Sequence, residues 1–268
     1  MTFTEIELDL SKNARENAAE YYEKAKKAKA KLSGLLKAVG QTKALIEKEK
    51  REKAAEKEKP VLKAKRKRAW FEKFHWFITS KGKLVIGGRD AKTNEVVVKK
   101  HLEERDYYCH ADIVGAPHVV IKDGQKAEEA ELLEAAVFAA SYSKAWKSGA
   151  TACDVFFANQ SQVSKKAEAG EFLSQGAFMV RGERKWLKGV KMQLALGLIE
   201  HEGMKLLECG PESAVKAKGT ILFTIRPGSD TKNEAAKKAF AKTKTENPEF
   251  TLDDVISILP NGGMKLGI

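Results

Sequence analysis

The sequence predicts an α+β protein, with a basic coiled-coil helix followed by a mixed or antiparallel sheet domain flanked by helices. Two observations carry this prediction. Residues 11–68 are rich in Ala, Lys and Glu, lack proline before Pro60, and show a heptad pattern. From Trp70 onward the composition shifts to aromatic and β-branched residues, and the predicted strands come in runs rather than in a regular strand–helix alternation. The expected organisation is a lead-in over residues 1–10, the helix over 11–68 and the sheet domain over 69–268.

The net positive charge of the chain lies in the helical segment. The chain of 268 residues has a net charge of +12, and residues 11–68 hold 20 Lys and Arg against 8 Asp and Glu. The remaining residues are close to neutral, which excludes a uniformly basic, histone-like protein. A basic arm joined to a globular body predicts a polyanionic partner.

The sequence also predicts the cellular compartment. It contains no apolar run of membrane-spanning length and no secretory signal at its N-terminus. Cys109, Cys153 and Cys209 are widely spaced and odd in number, which argues against a disulfide framework. We therefore expect a cytoplasmic protein with reduced thiols and no membrane partner.

The helix is predicted to carry a seam for a partner helix. Asn13 and Glu16 have capping-box spacing at its start. A helical hairpin that turns at Gly40 is the alternative to one continuous helix, but the heptad phase runs past Gly34 and Gly40, which favours continuity. The Lys-rich face is either a solvated spacer or a binding surface. The a/d positions of the seam are Ala14, Ala18, Tyr21, Ala25, Ala28, Leu32, Leu35, Val39, Thr42 and Ile46.

The body is expected to begin with a hairpin, followed by runs of short strands with helices between and after them. Helices are predicted over 90–102, 128–147, 233–244 and 252–259. Strands are predicted over 76–80, 83–87, 106–113, 118–122, 153–158, 177–181, 190–198, 205–209 and 220–225.

A metal-dependent nuclease is the enzymatic alternative. Asp90, His110, Asp112 and His118 are the residue types that bind a divalent ion in such enzymes. The simpler interpretation is that Asp90 caps a helix, while His110 and Asp112 satisfy local hydrogen bonds on one strand face. We favour the simpler interpretation, and so expect no catalytic residues, metal or cofactor.

Nucleic-acid binding is indicated by basic residues beside aromatic ones. A basic run, formed by Lys63, Lys65, Arg66, Lys67 and Arg68, directly precedes the aromatic residues Trp70, Phe71, Phe74 and Trp76. The aromatic rings are either core residues or platforms on which bases stack, and we favour the core role. The glycine-rich turn at Gly87-Gly88-Arg89-Asp90 suggests a helix N-terminus that binds phosphate. The predicted RNA-binding residues are Lys63, Lys65, Arg66, Lys67, Arg68, Arg89, Lys99, Lys100, Arg181, Arg184 and Lys185.

Several motifs resemble the NFACT-R domain of the ribosome-quality-control proteins known as RqcH in bacteria and NEMF in animals. Residues 70–122, the SYSKAW motif at 141–146 and the ILPNGG motif at 258–263 carry the resemblance. The stretch over 8–31 is similar to the coiled coil that precedes this domain. The motif positions that match are Gly87, Gly88, Asp90, Asn94, Asp106, Tyr108, His110, Ala111, Asp112, Gly115 and Ala116.

The resemblance implies a non-enzymatic RNA-binding module that associates with the large ribosomal subunit and tRNA in the rescue of stalled translation. Family members also carry an NFACT-N domain, which has no counterpart in these residues, so the resemblance does not assign tailing of the nascent chain to this chain alone. The seam is expected to pair with a second copy or with a separate NFACT-N-type chain. A coiled-coil protein adaptor is the remaining alternative.

Overall fold

The computed structural model describes residues 6–57, 68–166 and 173–267, with only the backbone of residues 48–57. It divides into two compact units, Met1–Ala64 and Lys65–Ile268. Within the described parts of the chain, every helix is too short or too polar to cross a lipid bilayer.

The first unit is built on one helix, α1, over Ala14–Lys57. It runs without interruption through Gly34 and Gly40, which confirms the continuous helix over the hairpin. The predicted capping box forms: the Glu16 amide donates to Asn13 Oδ1 and the Asn13 amide to Glu16 Oε2, both at 2.9 Å. These bonds satisfy amides that an α-helix leaves unpaired at its start.

Seam residues of α1 are open to solvent. Leu32, Leu35 and Val39 are 58%, 55% and 49% exposed. Apolar side chains at a/d positions are normally buried against a partner helix. The single chain therefore leaves this apolar stripe uncovered between residues 32 and 39.

The second unit contains twelve strands and six helices among its described residues. The strands are β1 His75–Ile78, β2 Leu84–Gly87, β3 Tyr107–Ala111, β4 Val119–Ile121, β5 Ala152–Asn159, β6 Val163–Ser164, β7 Met179–Val180, β8 Lys185–Lys191, β9 Leu194–His201, β10 Met204–Pro211, β11 Gly219–Asp230 and β12 Met264–Gly267. The helices are α2 Ala91–His101, α3 Glu129–Ser141, α4 Lys144–Lys147, α5 Glu212–Lys218, α6 Lys232–Glu246 and α7 Leu252–Ile258.

The strands form antiparallel sheets, as the sequence predicted. A six-stranded sheet has the order β1-β2-β4-β3-β5-β8, and a four-stranded sheet has the order β10-β9-β11-β12. Strands β6 and β7 form a separate ribbon. The main core joins α3, one face of the six-stranded sheet and the four-stranded sheet, with Phe77, Phe138 and Leu196 fully buried in it.

The opposite face of the six-stranded sheet carries two smaller clusters and holds α2. One cluster includes Phe71, Phe74 and Trp76, so these three are core residues, as favoured. For Trp70 the prediction was wrong, because its side chain is 49% exposed. The other includes Tyr108 and Phe156. Alternation along β3 and β5 sends their neighbouring residues to the main core.

Two sequence predictions were wrong in detail. The strand expected over 190–198 is two strands, β8 and β9, in different sheets, and Gln193 lies between them. The helix expected over 128–147 ends at Ser141, because the side chain of Ser143 caps a new helix by accepting from the Ala145 amide at 3.1 Å. Helix α5 and strands β6 and β12 were not predicted.

The two terminal family motifs pack against each other. The Trp146 indole donates to the Gly263 carbonyl at 3.1 Å. The Tyr142 hydroxyl lies 2.5 Å from the Ile258 carbonyl oxygen and 3.0 Å from that of Cys209. These contacts give the SYSKAW and ILPNGG motifs a structural role.

Candidate nucleic-acid interface

Most residues of the long family motif meet around one cleft of about 730 Å³. It lies on the α2 face of the six-stranded sheet. Strands β3 and β5, the β2–α2 turn, the loop before β4 and the segment over 174–180 line it. The predicted site residues that line it are Gly88, Arg89, Asp90, Asn94, His110, Asp112, Gly115 and Arg184.

The β2–α2 turn is locked to the loop before β4. A Cβ on Gly88 would lie 2.0 Å from Asn94 Oδ1, so only glycine fits there. Asn94 Oδ1 accepts the His118 amide at 3.0 Å, and the Gly88 amide donates to the His118 carbonyl at 3.1 Å. Gly88 and Asn94 thus act together to fix the wall of the cleft, and Gly87 ends the strand before it.

Local capping occupies the turn's own amides. The Thr93 amide donates to Asp90 Oδ1 at 2.7 Å, and this bond is the main cause that lowers the pKa of Asp90. The Arg89 and Asp90 amides both donate to Thr93 Oγ1. These three amides are therefore not free for the phosphate that the turn was expected to bind, and Asp90 is a helix cap.

Arg89 supports the backbone from within the cleft. Its Nη2 donates to the Glu72 carbonyl at 3.0 Å and to the Phe74 carbonyl at 2.9 Å. Its Nε is buried without a hydrogen-bond partner among the described residues. The predicted phosphate-binding role of Arg89 thus competes with a structural one.

A wall of aromatic and imidazole rings lies beside the turn. The His110 ring centroid is 5.0 Å from that of His118 and 5.7 Å from that of Phe156. The Tyr108 ring is parallel to His110 within 5°, at 6.2 Å. Phe178 meets His118 edge-on at 5.3 Å. These rings come from four separate parts of the chain, and their flat faces suit contact with a planar ligand.

Hydrogen bonds fix the protonation of His118. Its Nε2 lies 2.7 Å from the Gly176 carbonyl, which can only accept, so Nε2 carries the proton. Its Nδ1 then accepts from the Tyr108 hydroxyl at 2.5 Å. Burial lowers the pKa of His118 to about 3 and that of His110 to about 4. Both rings are therefore neutral at neutral pH.

The geometry does not support the metal-site alternative. Both His118 ring nitrogens are engaged, and Asp90 caps α2. Across residues 6–57, 68–166 and 173–267, no group of three or more His, Cys, Asp or Glu side chains is placed to hold a metal ion.

Cations lie at the rim of the cleft. The Arg184 guanidinium lies 4.6 Å from the Phe156 ring centroid, and its Nη2 donates to the Val180 carbonyl at 2.8 Å. The exposed Lys144 side chain lies against Gly115, where a Cβ would come within 2.5 Å of it. Sequence reasoning did not single out Lys144, although it lies within the SYSKAW motif.

The other predicted RNA-binding residues do not line this cleft. Lys99 is exposed on α2 and pairs with Glu95 at 2.6 Å, and Lys100 is exposed beside it. Arg181 donates to the Lys166 carbonyl at 3.1 Å, and Lys185 is exposed at the start of β8.

Of the basic run between Lys63 and Arg68, the structure describes Arg68 alone. Arg68 is 67% exposed and pairs with Asp254 at 2.7 Å. Lys63, Lys65, Arg66 and Lys67 lie outside the described residues.

Sequence reasoning missed the segment that closes the cleft. Gly176 has a φ of +78°, and a Cβ there would lie 2.6 Å from the Ala91 carbonyl oxygen. Its amide donates to Glu95 Oε2 at 2.8 Å, and Lys165 Nζ lies 3.0 Å from the same oxygen. Hydrogen bonds from Lys99, the Gly176 amide and Lys165 lower the pKa of Glu95 to about 2. The feature that marks this turn is the positive φ of Gly176, and a backbone angle cannot be read from the sequence.

Comparison with known proteins relates the cleft to a family. The family model described as NFACT protein RNA binding domain matches residues 73–182, the range that supplies most of the cleft. The chain is 38% identical over 207 residues to the archaeal Rqc2 homolog aRqcH of Methanocaldococcus jannaschii, covering 76% of this chain and 30% of that protein.

Two eukaryotic relatives extend the comparison. The ribosome quality control complex subunit NEMF homolog of Drosophila melanogaster is 39% identical over 202 residues, which cover 73% of this chain and 20% of that protein. Ribosome quality control complex subunit 2 of Schizosaccharomyces pombe is 34% identical over 285 aligned residues, which cover 98% of this chain and 28% of that protein. The chain thus spans less than a third of the length of each of these three relatives.

Proposed function

Because the chain belongs to the NFACT-R proteins of the RqcH/NEMF family, we propose that it is an RNA-binding module acting in ribosome quality control, on the large ribosomal subunit and tRNA. The observation that carries the proposal is the match of the RNA-binding family model to residues 73–182, which supply most of the cleft. The names of the relatives place those proteins in ribosome quality control. The proposed location is the cytoplasm, where the ribosomes are.

The charge distribution supports a division of labour. Residues 11–68 carry the net positive charge, so they supply most of the attraction to RNA phosphates. The cleft is nearly neutral, since burial lowers the pKa of its three histidines, His75, His110 and His118, and its two arginines accompany two aspartates. We propose that the basic segment provides most of the affinity through phosphate contacts. The cleft is proposed to contribute contacts that do not depend on net charge.

Binding without catalysis is proposed for the cleft. The hydrogen bonds of His118 and Asp90 serve the local structure. Burial holds both imidazoles neutral with pKa values near 4 and 3, far from the operating range of a general acid or base at neutral pH.

The salt dependence of RNA binding tests the proposal. Replacing Lys65, Arg66, Lys67 and Arg68 by Ala removes four positive charges. The slope of log affinity against log salt concentration for tRNA should then fall by roughly 3 units, since each phosphate contact contributes about 0.7 to 0.9. Filter binding or fluorescence anisotropy at several salt concentrations measures it.

A matched variant separates phosphate contacts from net charge. Replacing Lys205, Lys216, Lys237 and Lys244 by Ala removes four charges from exposed positions of the second unit, outside the basic segment. Its slope should stay near that of the wild type. An equal fall in both variants would mean a general effect of net charge, and no RNA binding by the wild-type chain would refute the proposed function.

The exposed seam favours a second, protein-binding role. Leu32, Leu35 and Val39 give α1 an uncovered apolar stripe. We propose that it pairs in trans, with a second copy or with a separate NFACT-N-type chain. This role accompanies RNA binding rather than replacing it.

A further inference from the structure

We propose that the cleft holds an unpaired nucleobase of the bound RNA, stacked on the ring of His110. This inference rests on the proposed function, because it names the part of the RNA that the cleft contacts. The expected occupant is a base in a single-stranded region, since a base within a duplex is stacked and paired on both sides.

The size and chemistry of the cleft fit a planar, uncharged ring. Its volume of about 730 Å³ lies within the usual range for ligand pockets. His110, His118 and Phe156 offer ring faces, and both imidazoles are neutral. His110 is partly exposed to the cleft, whereas Phe156 is buried behind it. His110 is therefore the ring that an entering base would meet.

Polar groups beside the rings fit the edge of a base. The Asp112 carboxylate is exposed on the cleft, two residues beyond His110 along the chain. Carboxylate oxygens accept from the amino and imino groups of bases. The Arg184 guanidinium, whose carbon lies 4.6 Å from the Phe156 ring centroid, provides a cation at the rim.

A free nucleotide is a poorer fit than an RNA strand. A nucleotide needs a phosphate site within the cleft, but the three turn amides are capped and Arg89 binds two backbone carbonyls. An RNA strand needs no such site, because cations outside the cleft can hold its phosphates. Lys144 and Arg184 lie at the rim, where a backbone would cross.

The test compares two probes with the same phosphates. One is an oligoadenylate, and the other is an abasic ribose-phosphate strand of equal length. The full chain should prefer the oligoadenylate, and His110→Ala should reduce that preference by roughly tenfold to a hundredfold, as loss of a base-stacking ring does. The salt slope should be unchanged, because His110 is uncharged.

Two variants serve as controls. His110→Phe keeps a ring at the same position and should keep the preference. His201→Ala removes a partly exposed histidine on β9, outside the cleft, and should also keep it. Ring nitrogen and proton signals of His110 and His118 in the wild-type chain give a second measurement that needs no variant. They should shift when oligoadenylate binds, while those of His201 should not.

The outcomes are distinguishable. An unaltered preference in a folded His110→Ala, or unshifted His110 and His118 signals in the wild type, would overturn the nucleobase site and leave RNA binding intact. Equal binding of adenosine monophosphate in the cleft would assign it to a free nucleotide instead. Failure of the wild type to bind either strand would overturn this inference together with the proposed function.

Discussion

Glu208 should make the stability of the second unit fall as pH rises through neutrality. This side chain is fully buried on β10, where its Oε2 accepts the Ile78 amide of β1 at 3.0 Å. It thus joins an edge strand of the four-stranded sheet to an edge strand of the six-stranded sheet. Its Oε1 is buried and has no hydrogen-bond partner among the described residues. Burial, aided by the nearby Glu134 carboxylate, raises the pKa of Glu208 to about 8.

The magnitude follows from proton linkage. The ordinary value for Glu is 4.5, so between that pH and 8 the native state holds one proton more than the unfolded chain. The free energy of unfolding from this group is therefore largest at low pH. It falls by about 1.4 kcal/mol for each pH unit, or about 3 kcal/mol between about pH 5.5 and pH 7.5.

The substitution Glu208→Gln isolates this effect. The amide oxygen of Gln can still accept from the Ile78 amide, but the side chain does not titrate. Between about pH 5.5 and about pH 7.5, the free energy of unfolding of the variant should therefore rise by about 3 kcal/mol relative to that of the wild type. Urea unfolding followed by circular dichroism at both pH values measures the difference. Because both proteins contain the buried histidines, whose pKa values are lowered, their titration cancels in the comparison.

Glu200→Gln is the matched control, an exposed Glu on the neighbouring strand β9. The difference in free energy of unfolding between Glu200→Gln and the wild type should be the same at the two pH values. A pH-independent difference between Glu208→Gln and the wild type would refute the reasoning and mean that Glu208 is ionised in the fold.

Two further predictions concern α1 and the turn. Replacing Leu32 and Leu35 by Lys should disperse any self-associated form, because it places charge in the exposed seam; sedimentation equilibrium measures this. A strict monomer at high concentration, unchanged by the substitutions, would leave a separate partner chain as the occupant of the seam. Gly88→Ala should destabilise the second unit by roughly 1 to 3 kcal/mol in thermal unfolding, because its Cβ would overlap Asn94 and disturb the hydrogen bond to the β4 loop. Gly149→Ala is the control that separates backbone strain from steric overlap. Gly149 is exposed and has a φ of +79°, but a Cβ there would meet no atom within 4 Å, so this substitution should destabilise the unit less than Gly88→Ala.

The sequence determined the elements whose signals are local. The heptad phase of α1 was readable because each apolar position repeats along one helix face, and a glycine does not shift that phase. The caps at Asn13 and Asp90 were readable for the same reason, since donor and acceptor are three residues apart. The family motif likewise marked His110, Asp112 and Asn94 before their positions were known.

Tertiary structure decided where β8 ends and β9 begins. The apolar alternation from Val190 to Leu198 is unbroken, so it predicts one strand. The chain nevertheless changes sheets at Gln193, because β8 pairs with β5 while β9 pairs with β10 and β11. Alternation records which side chains are buried, but it does not record which strand accepts their backbone hydrogen bonds.

The cleft shows the same limit at the level of function. Sequence spacing allowed His110, His118 and Asp112 to be metal ligands, although local hydrogen bonding was the favoured interpretation. The fold brought Gly176 from 58 residues away to accept from His118. Its burial of the two imidazoles also lowers their pKa values, so both are neutral at neutral pH. Residue types and intervals determine which chemistry is available, whereas protonation and partners depend on burial and on contacts between distant parts of the chain, which only the folded structure sets.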